Sequence, residues 1–170
     1  MVMGRLTRII RHRWHDEAEV RRTLDAAALA RLKERIAASE QRHSGEIRVC
    51  VEAGLPLSYL WRHATARERA LALFSKLRIW DTEHRNGVLI YLLLAEHAIE
   101  IVADRGLARE VAAQTWPRLL AGMGEAFRAH RFEEGLNDAI AAVDELLVRH
   151  FPLAPGAANP NELSDNVTVL

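Results

Sequence analysis

Apolar and polar residues recur with two different periods along the chain, and these periods divide it into strands and helices. Residues 46–52 alternate one by one between polar and apolar, which predicts a strand with one buried face. Residues 88–94 are almost continuously apolar, which predicts a strand buried on both faces. A third strand, 98–103, follows the two-residue turn Glu96-His97, so it is predicted to form a β-hairpin with the second.

Helical periodicity fills most of the chain between these strands. The clearest helix is 132–150, where one apolar stripe recurs every three or four residues. Asp25 and Ser58 stand where N-caps of two earlier helices are expected. Strands interleaved with helices on both sheet faces give an α/β fold, a three-layer α/β/α domain. The helices predicted within this domain cover 24–41, 59–78, 107–114, 116–129 and 132–150.

Two segments flank the predicted domain, which spans residues 24–151. Residues 1–23 form an N-terminal basic amphipathic segment, which either packs its apolar stripe on the domain or touches anionic lipid. Residues 152–170 form an extended C-terminal tail that contains proline. The residues on which the N-terminal prediction rests are the basic Arg5, Arg8, Arg11 and Arg13 and the apolar Leu6, Ile9, Ile10 and Trp14.

Composition narrows the class of protein. The 170 residues are 49% apolar and 27% charged, which suits one globular domain. Basic and acidic side chains number 23 each, so net charge gives no reason to expect a nucleic-acid partner. The lone Cys50 excludes an intrachain disulfide and a cysteine metal cluster. No apolar run reaches the ~20 residues of a membrane span, and arginines interrupt the N-terminus where a secretory signal would lie. A cytoplasmic protein with at most peripheral membrane contact is therefore predicted.

Four blocks, in order, resemble the TPM domain family over about residues 26–150. They are Ser-Gly-Glu-Ile-Arg-Val-Cys-Val-Glu-Ala at 44–53, Arg-Asn-Gly-Val-Leu-Ile-Tyr at 85–91, Glu-Ile-Val-Ala-Asp-Arg-Gly at 100–106 and Phe-Glu-Glu-Gly-Leu at 132–136. The chain is most similar to short bacterial members that lack a signal peptide and a membrane anchor. The resemblance implies an α/β/α sandwich with a small mixed sheet.

The resemblance implies less about activity than about fold. Some members are described as acid phosphatases, some bind calcium, and others serve photosystem repair or membrane-complex assembly. In the metal-binding members an acidic residue commonly precedes the Asn-Gly pair, whereas this chain has Arg85 there. This departure favours a non-catalytic binding or assembly module that acts through a protein partner, with a membrane complex as one setting. A divalent-cation-dependent phosphatase and a peripheral membrane protein are the alternatives.

Acidic and amide side chains gather around the ends of the predicted strands, where sites in open α/β sheets tend to form. Their oxygen atoms suit Ca²⁺ or Mg²⁺. In the alternative interpretation these residues pair with neighbouring arginines and cap turns, and Asn86-Gly87 is a turn that needs positive φ. The predicted metal ligands are Glu46, Asp81, Glu83, Asn86 and Asp104.

Two arginines in the same region predict an anion site instead. Arg85 and Arg105 could bind a phosphate or carboxylate group through paired hydrogen bonds. His84 would then serve as acid or base, and His84 or Asp104 would be the nucleophile of a phosphatase. The sequence contains no glycine-rich phosphate loop and no Cys-x5-Arg motif, which weighs against catalysis. An exposed apolar patch on 107–129 or on a free N-terminal helix would favour the binding module.

Overall fold

The computed structural model describes residues 2–170, with side chains from residue 6 onward, so the side chain of Arg5 lies outside the described part. The helices are α1 (Val2–Trp14), α2 (Glu17–Thr23), α3 (Ala26–Glu40), α4 (Leu57–Trp61), α5 (Ala66–Lys76), α6 (Arg105–Glu110), α7 (Thr115–Arg128) and α8 (Phe132–His150). The strands are β1 (Ile47–Glu52), β2 (Val88–Leu93), β3 (Ala98–Ala103) and β4 (Thr168–Val169).

The described strands form one mixed sheet in the order β3-β2-β1-β4. Strand β1 runs parallel to β2 and β4, whereas β2 and β3 are antiparallel, which confirms the predicted hairpin. Its connection covers residues 94–97 and includes the 3-10 helix Leu94–Glu96, so the predicted two-residue turn is wrong. Ile47 lies beside Val88, and Val88 lies opposite Ala103. The polar residues just outside this row therefore meet at one edge of the sheet.

Helices cover both faces of the sheet, which confirms the α/β fold. On one face α2, α3, α7 and α8 enclose a core that includes Val49, Ile90 and Phe127. On the other face α4 and α5 enclose Cys50, Leu89 and other apolar residues. Both faces of β1 are consequently buried, so the expectation of one buried face is wrong. Burial raises the pKa of the Cys50 thiol to about 12, as fits a core side chain.

One long predicted helix is two helices in the structure. The segment 59–78 divides into α4 and α5, with a turn between them. Thr65 causes the division, because its side chain accepts from the backbone N–H of Glu68 while the Glu68 side chain accepts from that of Thr65. Ser58 lies inside α4 rather than at a helix start, so its predicted capping role is wrong. Asp25 does cap α3, accepting from the Ala28 N–H at 2.7 Å.

The predicted C-terminal tail packs along the domain and ends in the sheet. The Phe151 carbonyl accepts from the Ser44 N–H at 2.9 Å. At the far end, the Leu170 N–H donates to Val51 at 2.9 Å, and the Leu170 carbonyl accepts from Ala53 at 2.9 Å. The tail thus covers the outer edge of β1.

Helix α1 is attached to the domain by polar contacts. His12 is buried, with Nδ1 accepting from the Leu55 N–H at 3.0 Å and Nε2 lying 2.9 Å from the Glu96 carboxylate. Arg8 donates to Glu96 at 2.8 Å and to the Ala64 carbonyl at 2.8 Å. The hydrogen bond from His12, together with Arg8, lowers the pKa of Glu96 to about 2. The predicted segment therefore does pack on the domain.

The apolar stripe of α1 faces away from these contacts. Ile9 packs against the core, but Leu6, Ile10 and Trp14 are exposed. Of the two interpretations of this segment, packing through the whole stripe is therefore wrong, because polar side chains share the docking face with Ile9. None of the described helices combines the length and the hydrophobicity that a membrane span requires.

Candidate functional site

Two loops are joined side by side at the edge of the sheet where β2 begins and β3 ends. The Asp104 N–H donates to Gly87 at 2.9 Å, and the Gly106 N–H donates to Arg85 at 2.8 Å. A Cβ atom on Gly106 would lie 2.4 Å from the carbonyl oxygen of His84 and 2.5 Å from that of Arg85. Position 106 therefore requires glycine, and this glycine brings the two loops into contact.

The backbone before β2 differs from the predicted turn. The left-handed residue is Arg85, with φ of 51°, rather than either residue of the Asn86-Gly87 pair. Gly87 is needed for space instead, because a Cβ there would lie 2.1 Å from the Ile79 carbonyl oxygen. This conformation sets Arg85 against the loop that carries Arg105.

Side chains from both loops line one open cavity of about 210 Å³. Its lining residues are Trp80, Arg85, Asp104 and Arg105, and the Trp80 side chain is 47% exposed. Within the described part of the chain, the guanidinium groups of the two arginines make no hydrogen bond or ion pair. The two predicted anion-binding residues therefore share one cavity, with their donors available.

Two buried oxygen atoms at this edge have no hydrogen-bond partner among the described residues. Asp104 caps α6 with Oδ1, which accepts from the Arg105 N–H at 2.7 Å, while its Oδ2 is buried without a partner. Asn86 donates from Nδ2 to the Ser44 hydroxyl at 3.3 Å, while its Oδ1 is also buried without a partner. Unpartnered buried oxygens are rare in native structures. They suit a ligand that donates a hydrogen bond to them or a cation that they coordinate.

The other predicted metal ligands are engaged elsewhere. Both carboxylate oxygens of Glu46 accept from the tail, at 3.1 Å from the backbone nitrogens of Glu162 and Leu163. Asp81 is exposed and pairs with Arg78 at 2.7 Å. Glu83 is also exposed, and its backbone N–H donates to the Glu162 carboxylate at 3.1 Å.

The predicted metal set is therefore divided in the structure. Glu46, Asn86 and Asp104 lie along one sheet edge, whereas Asp81 and Glu83 lie in the exposed loop before β2. Among residues 6–170, no three His, Cys, Asp or Glu side chains form a group that could hold a metal ion. His84 is exposed and does not line the cavity. A metal bound by these residues stays a prediction.

The structure also reveals a buried carboxyl group that the sequence did not single out. Glu40, at the end of α3, lines a second cavity of about 430 Å³ together with Asp165 of the tail. Its Oε1 accepts from the Ile47 N–H at 2.9 Å, whereas Oε2 is buried without a partner. Burial, followed by the charges of Glu46 and Asp165, raises the pKa of Glu40 to about 8. A glutamate in the last turn of a helix looks like a surface residue in sequence, so no local signal indicated this.

Comparisons with known proteins agree on the fold. The TPM domain family model matches residues 18–146. The NMR structure of the BA42 protein from the psychrophilic bacterium Bizionia argentinensis is similar, with a TM-score of 0.75 and 26% identity, covering 86% of this chain and 95% of that one. None of the curated proteins matches this chain.

Proposed function

Because this chain belongs to the TPM domain family, we propose that it is a non-catalytic binding module whose protein partner presents an oxyanion to the cavity of Arg85 and Arg105. The observation that supports this function best is that two arginines, which have no ion pair among the described residues, line the same cavity. Guanidinium groups bind phosphate and carboxylate through paired hydrogen bonds. The exposed Trp80 ring beside them offers an apolar surface to the rest of the partner.

Asp104 restricts which oxyanions fit this cavity. Its Oδ2 is buried in the cavity wall and repels an anion that has no hydrogen to donate. An oxyanion that still carries a proton can donate a hydrogen bond to Oδ2. A ligand with an N–H or O–H group next to its oxyanion can do the same. Phosphate near neutral pH meets this condition, whereas sulfate does not.

Calorimetric titration with phosphate and sulfate tests this proposal. Phosphate is expected to bind more tightly than sulfate, because only phosphate can donate to Asp104. Arg85→Ala and Arg105→Ala are each expected to weaken phosphate binding by roughly 10- to 100-fold, the range for a hydrogen bond to a charged group. Asp104→Asn should remove the preference for phosphate, since an amide can donate to sulfate.

The matched control is Arg109→Ala, which removes an exposed arginine from the same short helix as Arg105. It should leave the phosphate affinity unchanged. A phosphoserine peptide that binds more tightly than free phosphate would support a protein partner, and the reverse order would point to a small phosphate ligand. Phosphate binding that is absent, or equally weakened by Arg109→Ala, would contradict the proposal.

A divalent-cation-dependent phosphatase is the second candidate. The observation in its favour is the pair of unpartnered oxygens, Asp104 Oδ2 and Asn86 Oδ1, at the edge where phosphate would bind. Oxygens of this kind suit Ca²⁺ or Mg²⁺. Hydrolysis of p-nitrophenyl phosphate with either cation, compared between the native protein and Asp104→Asn, separates the two functions. If the protein is a binding module, the native protein should hydrolyse the substrate no faster than Asp104→Asn. Hydrolysis by the native protein that Asp104→Asn abolishes would establish the enzyme.

A further inference from the structure

Helix α1 presents an apolar stripe to solvent on the side opposite its attachment to the domain. The side chains of Leu6, Ile10 and Trp14 are 62%, 45% and 82% exposed. They stand four residues apart, so they line one side of the helix. Exposed apolar side chains grouped in this way indicate a contact surface.

Basic residues border this stripe on both sides. At 100° per residue, Arg13 lies roughly 20° from Leu6 around the helix, and Arg11 lies roughly 60° beyond Trp14. Both arginines are exposed, and α1 contains no acidic residue. The stripe and its border therefore combine apolar and positively charged groups.

The acidic residues that follow α1 do not cancel this charge. Asp16 caps α2 and lies 3.9 Å from Arg22, and Glu17 pairs with Arg21 at 2.6 Å. The Glu19 carboxylate lies 2.7 Å from Nδ1 of His15. The acid that contacts α1, Glu96, lies on the attachment side with Arg8 and His12. Among the described residues, neither Arg11 nor Arg13 makes a hydrogen bond or ion pair through its side chain.

We infer that α1 docks this protein on an anionic lipid bilayer, with Leu6, Ile10 and Trp14 at the acyl boundary and Arg11 and Arg13 among the headgroups. Charge complementarity favours this partner, because a helix without acids and with flanking arginines is attracted to anionic lipid. Tryptophan, which stands at the end of the stripe, prefers the interface between headgroups and acyl chains. This docking is independent of the oxyanion cavity, which lies at the sheet edge between β2 and β3.

Flotation of the full chain with vesicles tests this inference. The protein is expected to float at low salt with vesicles of phosphatidylcholine and phosphatidylglycerol, and not with phosphatidylcholine alone. Each arginine near an anionic surface raises the partition coefficient for the vesicles roughly five- to sixfold. The double variant Arg11→Ala/Arg13→Ala should therefore have a partition coefficient about thirtyfold lower than the native protein. Ile10→Gln with Trp14→Gln should also abolish flotation.

The matched control is Leu71→Gln, because Leu71 is exposed at 48% on α5, outside α1 and α4. It should float like the native protein, and all variants should keep the native circular dichroism spectrum. The inference fails if the native protein does not bind anionic vesicles at low salt, or if the stripe variant binds as well as Leu71→Gln. If the native protein self-associates and only the Ile10→Gln/Trp14→Gln variant does not, the surface binds a second copy of this chain. That result would also overturn the inference of lipid docking.

Discussion

Replacing Arg69 with alanine is expected to lower the free energy of unfolding by about 3–5 kcal/mol, the cost of leaving one charge of a buried pair alone. Arg69 donates from Nη2 and Nε to the two oxygens of Glu52, at 2.6 and 2.9 Å. Tyr91 donates its hydroxyl to the same carboxylate at 2.6 Å. Without Arg69, the buried Glu52 charge would keep only the tyrosine.

Water cannot easily take the place of Arg69 beside Glu52, because this carboxylate is buried. Glu52 is 3% exposed and Tyr91 is fully buried, beneath α5. Burial alone would lower the pKa of Arg69, but its hydrogen bonds and attraction to Glu52 raise it. Burial, and then the Glu52 charge, raises the pKa of Tyr91. Arg69 therefore stays charged and Tyr91 stays protonated at neutral pH.

Urea unfolding at neutral pH measures the effect, with Arg62→Ala as the matched control. Arg62 and Arg69 both lie over the Tyr59 ring, at 4.3 and 4.9 Å from its centroid, but Arg62 is exposed. Arg62→Ala should change the free energy of unfolding by less than about 1 kcal/mol, as for other surface contacts. Equal losses in the two variants would show that stacking on Tyr59, rather than the ion pair, stabilises this region.

Replacing Glu40 with glutamine is expected to stabilise the protein by several kcal/mol at pH 8, with no gain below about pH 4.5. The pKa of Glu40 is about 8 in the folded protein, against an ordinary value of 4.5. A raised pKa of this kind means that the folded state holds a proton which the unfolded state releases. Native stability should therefore fall as pH rises from 4.5 towards 8, and glutamine removes this dependence.

The charges around Glu40 explain the direction of this effect. Glu46 and Asp165 both disfavour its ionised form, and Arg48 lies near enough to feel the charge of Glu40. Arg48 also holds the tail, donating to the Ser164 carbonyl and to the Thr168 hydroxyl at 3.4 Å. Ionisation of Glu40 thus acts on the contact between α3 and the tail.

Urea unfolding of Glu40→Gln and the native protein, repeated between pH 4.5 and 9, measures the difference. Glutamine keeps the oxygen that accepts from the Ile47 N–H, so this hydrogen bond is retained. Glu34→Gln, an exposed position on the same helix, should follow the native pH profile. Parallel profiles for Glu40→Gln and Glu34→Gln would show that Glu40 is already ionised in the folded protein.

The sequence alone determined the elements whose patterns are local. Alternation and continuous apolar runs placed β1 and the β2–β3 hairpin, and helical spacing placed α8 over 132–150. Asp25 marked the start of α3 because an N-cap depends only on the next three residues. The two arginines of the proposed anion site could also be singled out, since both stand beside strand ends.

Only the tertiary structure decided which surfaces are covered and which charges meet. Glu40 and Glu52 look like ordinary polar positions in sequence, and they are buried because distant segments pack over them. The stripe of α1 has the pattern of a buried face, yet it is exposed because Arg8 and His12 dock the opposite side on Glu96. Burial and electrostatic pairing depend on contacts between residues far apart in the chain, and a local period contains no information about such contacts.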